Sequence, residues 1–310
     1  MNVPIAYITH PDCLLHDVGN FHPERPARLN AIHDQLIMSG LEFVLTPHDA
    51  PLAERQHLER VHDADYVKSL FDWSPDTGIV DLDDDTIMTT NTLNAALRAA
   101  GAVIHAVDLV LGDEVKGAFC AIRPPGHHAE QHHAMGFCYF NNIAVGAAYA
   151  LDVMGLERVA IIDFDVHHGN GTEHIFQDDP RVLFCSSFQH PFYPYTGHES
   201  DTAHVVNIPL AAGANGQKFR QEAEAHWLPA LHKFKPQLVM ISAGFDGHVE
   251  DEMGQLLLQE ADYAWISGEL KEIANQYAEG RIVSSLEGGY ALGALGRSVV
   301  AHLDALLGHS

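Results

Sequence analysis

The chain has 310 residues, 46% of them hydrophobic, enough to bury a large core and to argue against global disorder. Lysine and arginine number 17 against 42 aspartates and glutamates, a formal net charge of -25. A surface that acidic repels phosphate backbones, so no nucleic acid partner is expected, and it favours cationic ones such as lysine-rich segments or polyamines. A purely solubilising role for the charge is the plain alternative. No apolar run approaches the ~18 residues of a membrane span, so no membrane partner is expected either. The opening MNVPIAYITHPD lacks a basic start and a cleavage site, and reads as a first strand rather than a signal peptide. Cys13, Cys120, Cys138 and Cys185 are scattered with no CxxC pair, which fits a reducing cytoplasm and no structural disulfide.

In chain order, short β-rich apolar runs alternate with helical patterns. Strands are predicted at residues 5–9, 118–122, 159–164, 182–186, 205–208, 238–242 and 282–286. Helices are predicted over 25–39, 91–111, 142–154, 217–234, 260–277 and 294–307. No repeat, low-complexity tract or linker breaks the pattern, so residues 1–310 read as one domain. Strands that are apolar throughout and separated by helices predict an α/β fold with a parallel sheet covered on both faces. Ligands of such sheets bind beyond the carboxyl ends of the strands. The chemically rich segments RPPGHH, DVHHGN, GFDGH and EGGY each follow a predicted strand.

Asp163, Asp165 and His167 alternate with Phe164 and Val166, so on an extended backbone the three polar residues share a face. Asp165 and His167 at that spacing suit one divalent metal, although a capped strand end would look the same. Asp246, at the end of LVMISAGFD, is a candidate third ligand. Three protein ligands plus an open position mark catalytic rather than structural zinc, and Fe2+ suits the same set. His127 and His128 follow a rigid Arg-Pro-Pro-Gly turn; one of the pair can move a proton near pH 7 if an acceptor fixes its tautomer. Asp163 and Asn170 are candidate acceptors, and a carboxylate raises imidazole basicity more than an amide does. A surface histidine pair is the alternative in a chain with 23 histidines. Gly136-Phe137 and, later, Tyr193 put aromatics where they can wall a narrow channel, whereas Phe140 reads as core. Tyr290, behind two glycines, can offer a phenol to a developing oxyanion or simply pack.

Together, HPERPARL (22–29), RPPGHHA, GFCYFNN, DFDVHHGNGT, SAGFD and EGGY resemble the histone deacetylase superfamily, in its order and over nearly the whole chain. The Asn in HHGN and the Glu in LEGGY resemble its class II branch and bacterial relatives. The resemblance implies an arginase/deacetylase-like three-layer fold with a central, largely parallel sheet of about eight strands. It implies that Asp165, His167 and Asp246 bind zinc. His128 is then the main general base and acid, His127 with Asp163 a more positive partner, and Tyr290 the donor to the acetyl carbonyl. Gly136, Phe137, Tyr193 and Met253 would line the substrate tunnel. A structural potassium is implied at the Asp163 side chain and the Asp165 and His167 carbonyls, with Ser186 nearby. The implied reaction is hydrolysis of an acetyl-lysine-like amide on a peptide or protein, with acetylpolyamine or another small N-acyl amine as the alternative.

Some positions depart from the family. Met253 stands where polyamine-specific members place an acidic gatekeeper, which disfavours a polyamine. His248 has no assigned role, and the segment 83–94 matches too poorly to transfer residues. A two-metal ureohydrolase on the shared fold is disfavoured because Asp246-Gly-His248 lacks a second Asp at i+2. A catalytically dead acyl-lysine-binding module is disfavoured by the intact histidine pair, ligand set and tyrosine. A homo-oligomer stays open.

Overall fold

The computed structural model describes residues 5–19, 21–199 and 202–308; the first four residues of the predicted opening strand segment lie outside these, as do 309 and 310. Among the described residues ten strands form: β1 (Ile5–Thr9), β2 (Leu45–Asp49), β3 (Ile79–Asp81), β4 (Ile87–Thr89), β5 (Gly117–Cys120), β6 (Val159–Asp163), β7 (Val182–Gln189), β8 (Val205–Leu210), β9 (Leu238–Ala243) and β10 (Ile282–Leu286). The helices are α1 (Asp12–Leu15), α2 (Ala27–Ser39), α3 (Arg55–Leu58), α4 (Ala64–Trp73), α5 (Thr92–Leu111), α6 (Asn142–Asp152), α7 (Asn170–Phe176), α8 (Gly216–Glu222), α9 (Leu228–Phe234), α10 (Glu260–Tyr277) and α11 (Leu292–Leu307). A π-helical turn at Ala223–Trp227 joins α8 to α9, so the single helix expected over 217–234 is one continuous run with a local distortion.

Eight strands make one sheet in the order β2-β1-β5-β10-β9-β6-β7-β8, and every neighbouring pair is parallel. This is the flanked parallel sheet that the sequence predicts. β5, β6, β9 and β10 are buried at every residue, which explains their continuous apolar runs. They are also the four adjacent central strands, and each is followed by one of the four polar segments. β3 and β4 pair antiparallel in a separate hairpin.

Four helices and three strands fall outside the sequence reading. β2 carries Pro47 and lies at the sheet edge with exposed positions, so it lacks the apolar run of a central strand. β3 and β4 have three residues each, and α1, α3, α4 and α7 have four to ten, too short for a periodic signal to rise above chance. In the other direction, α5 is long and apolar enough to cross a membrane, but most of that window is buried. It packs against α6, β5, β1 and β10.

The core also holds a neutral histidine. His302 of α11 is fully buried between two serines. Ser267 gives its hydroxyl proton to the Tyr263 carbonyl (2.6 Å), so its oxygen accepts from His302 Nδ1–H (2.6 Å). His302 Nε2 is then the acceptor for the Ser284 hydroxyl (2.9 Å). Burial pushes its pKa down to about 3 from the usual 6.5. The unfolded chain therefore binds one more proton than the native state between about pH 3 and 6.5, and stability falls as pH drops through that window. At pH 5 this group costs about 2 kcal/mol relative to neutral pH. We expect denaturant unfolding of His302→Gln to lose about 2 kcal/mol less than wild type between pH 7 and 5; equal losses would remove His302 as the source.

Candidate metal centre and active site

Asp165 and His167 sit on the turn that leaves β6, and Asp246 on the turn that leaves the neighbouring β9. One ligand atom from each lies within 4.8 Å of the others, and all three residues are buried. His167 Nδ1 is 3.0 Å from Asp165 Oδ1 and 3.3 Å from Asp246 Oδ2. Backbone amides hold the outer oxygens: Val166 N–H donates to Asp246 Oδ1 (2.9 Å) and Gly288 N–H to Asp165 Oδ2 (2.8 Å). Asp246 Oδ2 is buried with no well-aligned donor. A Cβ on Gly288 would fall 2.0 Å from that oxygen, so the β10 turn can approach the carboxylates only as glycine.

The charge balance also asks for a cation. Asp163, Asp165, Asp246 and Glu287 are all buried here. Burial, reinforced by the Asp165 charge, pushes Asp246 up to about 7. Burial likewise pushes Glu287 up to about 7, with Asp163 adding to it. Burial alone would keep His167 neutral, yet Asp165 and Asp246 outweigh it and push the imidazole up to about 10. A divalent ion on the same three residues would bring the positive charge that these carboxylates call for. The donor set and the orphaned oxygen fit such an ion. Ser186, beside Asp163 in the β6–β7 ladder, has a buried hydroxyl without a hydrogen-bond partner, which fits a second cation there.

The histidine pair leaves the turn after β5. His127 Nδ1–H donates to Asp163 Oδ2 (2.8 Å), and its Nε2 lies 3.9 Å from Asp165 Oδ2. His128 Nδ1–H donates to Asn170 Oδ1 (2.7 Å). The rings are 4.0 Å apart. Burial disfavours charge on both, but the Asp163 and Asp165 carboxylates overcome it at His127 and push its pKa up to about 10. At His128 burial is joined by the positive charges of His127 and His167, and its pKa falls well below the usual value. Like charges at this separation cannot share the site, so one ring is cationic and the other neutral. Glu287 accepts from the backbone of Gly126 (2.7 Å) and His127 (3.1 Å) and from Ser242 Oγ (3.1 Å), which ties this turn to β9 and β10.

A cavity of about 230 Å³ reaches these groups, lined by His127, His128, His167, Gly136, Phe137, Phe192, Tyr193, Met253 and Tyr290, among others. Gly136 (φ +57°) turns the wall so tightly that a Cβ would sit 2.4 Å from His128 Cδ2. Tyr193 stands edge-on to His128 at 5.3 Å, and Phe137 edge-on to Tyr290 at 6.2 Å. Phe140 is core. Tyr290 is held from below: Arg28 lies 4.8 Å from its ring centre and donates to the Gly289 carbonyl (2.6 Å) and the Glu287 carbonyl. Glu24 in turn clamps both Arg28 and Arg123, all three fully buried. Asp251 accepts from the Tyr290 and Ala291 amides (2.6 and 2.8 Å). His248 is buried within the same loop and takes the Glu250 amide on Nδ1 (3.1 Å).

Several lining residues escaped the sequence. Phe192 stacks on His167 at 5.5 Å. Asp85 of the β3–β4 turn lines the cavity and accepts from Gly136 N–H (3.2 Å), while Thr86 Oγ1 accepts from Phe137 N–H (3.1 Å). Asp85 and Thr86 fall in the segment 83–94, which the resemblance left without assigned residues. Glu252 lines the cavity beside Met253, so the mouth carries carboxylates even without an acidic residue at 253. A larger open groove of about 1010 Å³ between α10 and α11 carries none of these groups and lies toward the amino ends of β5 and β10.

Residues 22–306 match the family model described as the histone deacetylase domain. A probable deacetylase of Archaeoglobus fulgidus is 38% identical over 97% of this chain and 86% of its own length. The polyamine deacetylase HDAC10 of Homo sapiens is 36% identical over 98% of this chain, which spans about half (48%) of that protein. Among solved structures, the HDA15 HD domain superposes with a TM-score of 0.94 at 33% identity, over 99% of this chain and 89% of that one. With a fold match of that extent and a family model covering nearly all of the sequence, the chain belongs to the histone deacetylase family, whose members are deacetylase hydrolases acting on amide bonds.

Proposed function

We propose that this chain is a zinc-dependent amidohydrolase that removes the acetyl group from acetyl-lysine-like side chains. One observation carries the reading. Asp165, His167 and Asp246 converge on one spot, and His167 opens from it into a cavity that His128 and Tyr290 also line. Zinc held by those three residues would supply Lewis acidity to the acetyl carbonyl and to the attacking water. Iron(II) suits the same ligands, and a potassium ion suits Asp163 and Ser186.

The residues divide the remaining work. The apolar walls at Phe137 and Tyr193 exclude water and hold an aliphatic chain straight. Asn170 accepts the Nδ1 proton of His128, so Nε2 is the free base. His128, kept neutral, takes the proton of the attacking water at Nε2 and later returns it to the leaving amine. His127, kept cationic by Asp163, stabilises negative charge as it develops but has no lone pair to offer. Tyr290 donates its hydroxyl to the carbonyl oxygen, an interaction that strengthens as that oxygen becomes an oxyanion.

A second substrate reading has its own observation. Asp85 and Glu252 at the cavity lining present carboxylates to whatever lies beyond the scissile amide. A secondary amine of an acetylated polyamine would suit them, as would cationic residues flanking an acetyl-lysine. The deciding experiment is a panel of N-acyl-lysine peptides and acetylated polyamines assayed with the purified protein. We expect acetyl-lysine peptides with basic flanks to give the higher kcat/KM, with the flank preference fading as salt is raised; a strong preference for acetylspermidine would promote the polyamine reading.

Chelation should remove one divalent ion per chain together with activity, and hydroxamates should inhibit. Full activity in rigorously metal-free protein would exclude the metal mechanism.

Single substitutions separate the roles. His128→Ala should nearly abolish turnover while bound metal stays intact, with His127→Ala damaging but less complete. Tyr290→Phe should lower kcat by roughly 100- to 1000-fold, about 2.7–4 kcal/mol, with little change in KM or metal content. Wild-type kcat in either His128→Ala or Tyr290→Phe would withdraw that residue's assignment.

A further inference from the structure

We propose that Glu130 is a positioning residue for the acid–base step: it sets which face of the Asn170 amide meets His128. This rests on the reading of His128 as the base. An asparagine side chain has the same shape whichever way its amide is turned, and the two orientations have opposite consequences here. With the carbonyl oxygen toward His128, Nδ1 must carry the proton and Nε2 faces the reaction as an acceptor. With the NH2 group toward His128, Nδ1 must accept, the proton moves to Nε2, and the ring can no longer receive one from water. A carboxylate partner would need no such control, because both of its oxygens accept. At His127 the partner is Asp163, and the question does not arise.

Glu130 supplies the control at His128. Its Oε1 lies 2.8 Å from Asn170 Nδ2, on the side of the amide away from the imidazole. A carboxylate only accepts, so it holds the NH2 group outward and the carbonyl inward. Turning the amide over would lose two hydrogen bonds, one of them charge-assisted, and set the carbonyl oxygen against a carboxylate. The other acceptors near Nδ2 are weaker: Met135 Sδ at 3.3 Å and the His128 carbonyl at 3.5 Å.

The rest of the loop holds Glu130 to this task. Its amide donates to the His133 carbonyl (2.9 Å). Its own carbonyl accepts from His62 Nδ1–H (2.8 Å), and His62 Nε2 accepts from the Asn141 amide (2.9 Å), which leaves His62 a single tautomer. The second carboxylate oxygen lies 3.7 Å from His174 Nδ1. α7, which begins at Asn170, packs so closely on the histidine turn that a Cβ on Gly171 would lie 2.2 Å from the Ala129 carbonyl oxygen. Glu130 is neither one of the three candidate ligands nor a cavity-lining residue, and about a quarter of its side chain is exposed, so truncating it leaves the core packing alone.

The test is a double-mutant cycle with a spectroscopic arm. Glu130→Ala should lower kcat about 10- to 100-fold, the range seen when an outer partner that orients a metal-ligating histidine is lost, with KM and bound metal near wild type. Glu130→Gln should regain most of it, because its amide oxygen can still accept from Asn170. In an Asn170→Asp background the sign should change: adding Glu130→Ala should leave kcat unchanged or raise it, since a carboxylate at 170 needs no orienting and is repelled by Glu130. Imidazole 15N spectra, with His128 assigned by its loss in His128→Ala, should show the Nδ1–H tautomer in wild type and a shift toward Nε2–H in Glu130→Ala. Wild-type kcat in Glu130→Ala, an equal loss in both backgrounds, or an unchanged His128 tautomer would overturn the proposal. An absence of amide hydrolysis by the wild-type protein would instead sink the deacetylase reading, and the tautomer spectra would still decide the role of Glu130.

Discussion

Four carboxylates are buried where the central strands end, and most of the surrounding architecture answers that one electrostatic problem. Taking Asp163, Asp165, Asp246 and Glu287 out of water is costly unless each finds donors or positive charge. Backbone amides from the β6 turn and the β10 turn satisfy the outer oxygens of Asp165 and Asp246. Glu287 spends its oxygens on the histidine turn and on β9. What remains unsatisfied, Asp246 Oδ2, lies at one spot between Asp165, His167 and Asp246. A divalent cation is the complementary partner of such a spot, and the family to which the chain belongs is in keeping with that.

The same charges sort the two imidazoles. His127 faces Asp163 and Asp165 and is held cationic; that positive charge, with His167 and burial, keeps His128 neutral 4.0 Å away. The difference of partner, carboxylate at His127 against amide at His128, leads this asymmetry, and Asp165 on one side and His167 on the other add to it. An amide partner leaves an ambiguity that a carboxylate does not, and the structure carries a further carboxylate, Glu130, placed where it removes it.

A second buried cluster supports the site mechanically. Glu24 is held between Arg123, at the head of the histidine turn, and Arg28 of α2, which reaches the carbonyls of Glu287 and Gly289. The guanidinium lies against the Tyr290 ring, so the tyrosine is fixed by residues more than two hundred and fifty positions earlier in the chain. Both guanidiniums share the one Glu24 carboxylate, so removing Glu24 would leave two buried positive charges without their partner. The motif HPERPARL is thus part of the scaffold of the candidate site even though none of its residues lines the cavity.

Much of this was legible in the chain itself. The period-2 pattern of Asp163, Asp165 and His167, the continuous apolar strands and the polar segments at four strand ends determine local conformation and which side chains can share a face, because those depend on near neighbours. The parallel sheet and its site at the carboxyl edge follow from the same local rules. Strand order does not: that β5, β10, β9 and β6 lie side by side, bringing Asp246 to His167 and Glu287 to His127, is decided by long-range pairing. So are the contributions of Asp85, Glu252 and Phe192, which sit on short or irregular segments with no periodic signal and enter the cavity only because the β3–β4 hairpin and two loops fold over it. Proton placement lies furthest from the sequence. It depends on distances of a few ångströms between charges far apart in the chain, as between Glu130, Asn170 and His128, and only the packed structure sets those distances.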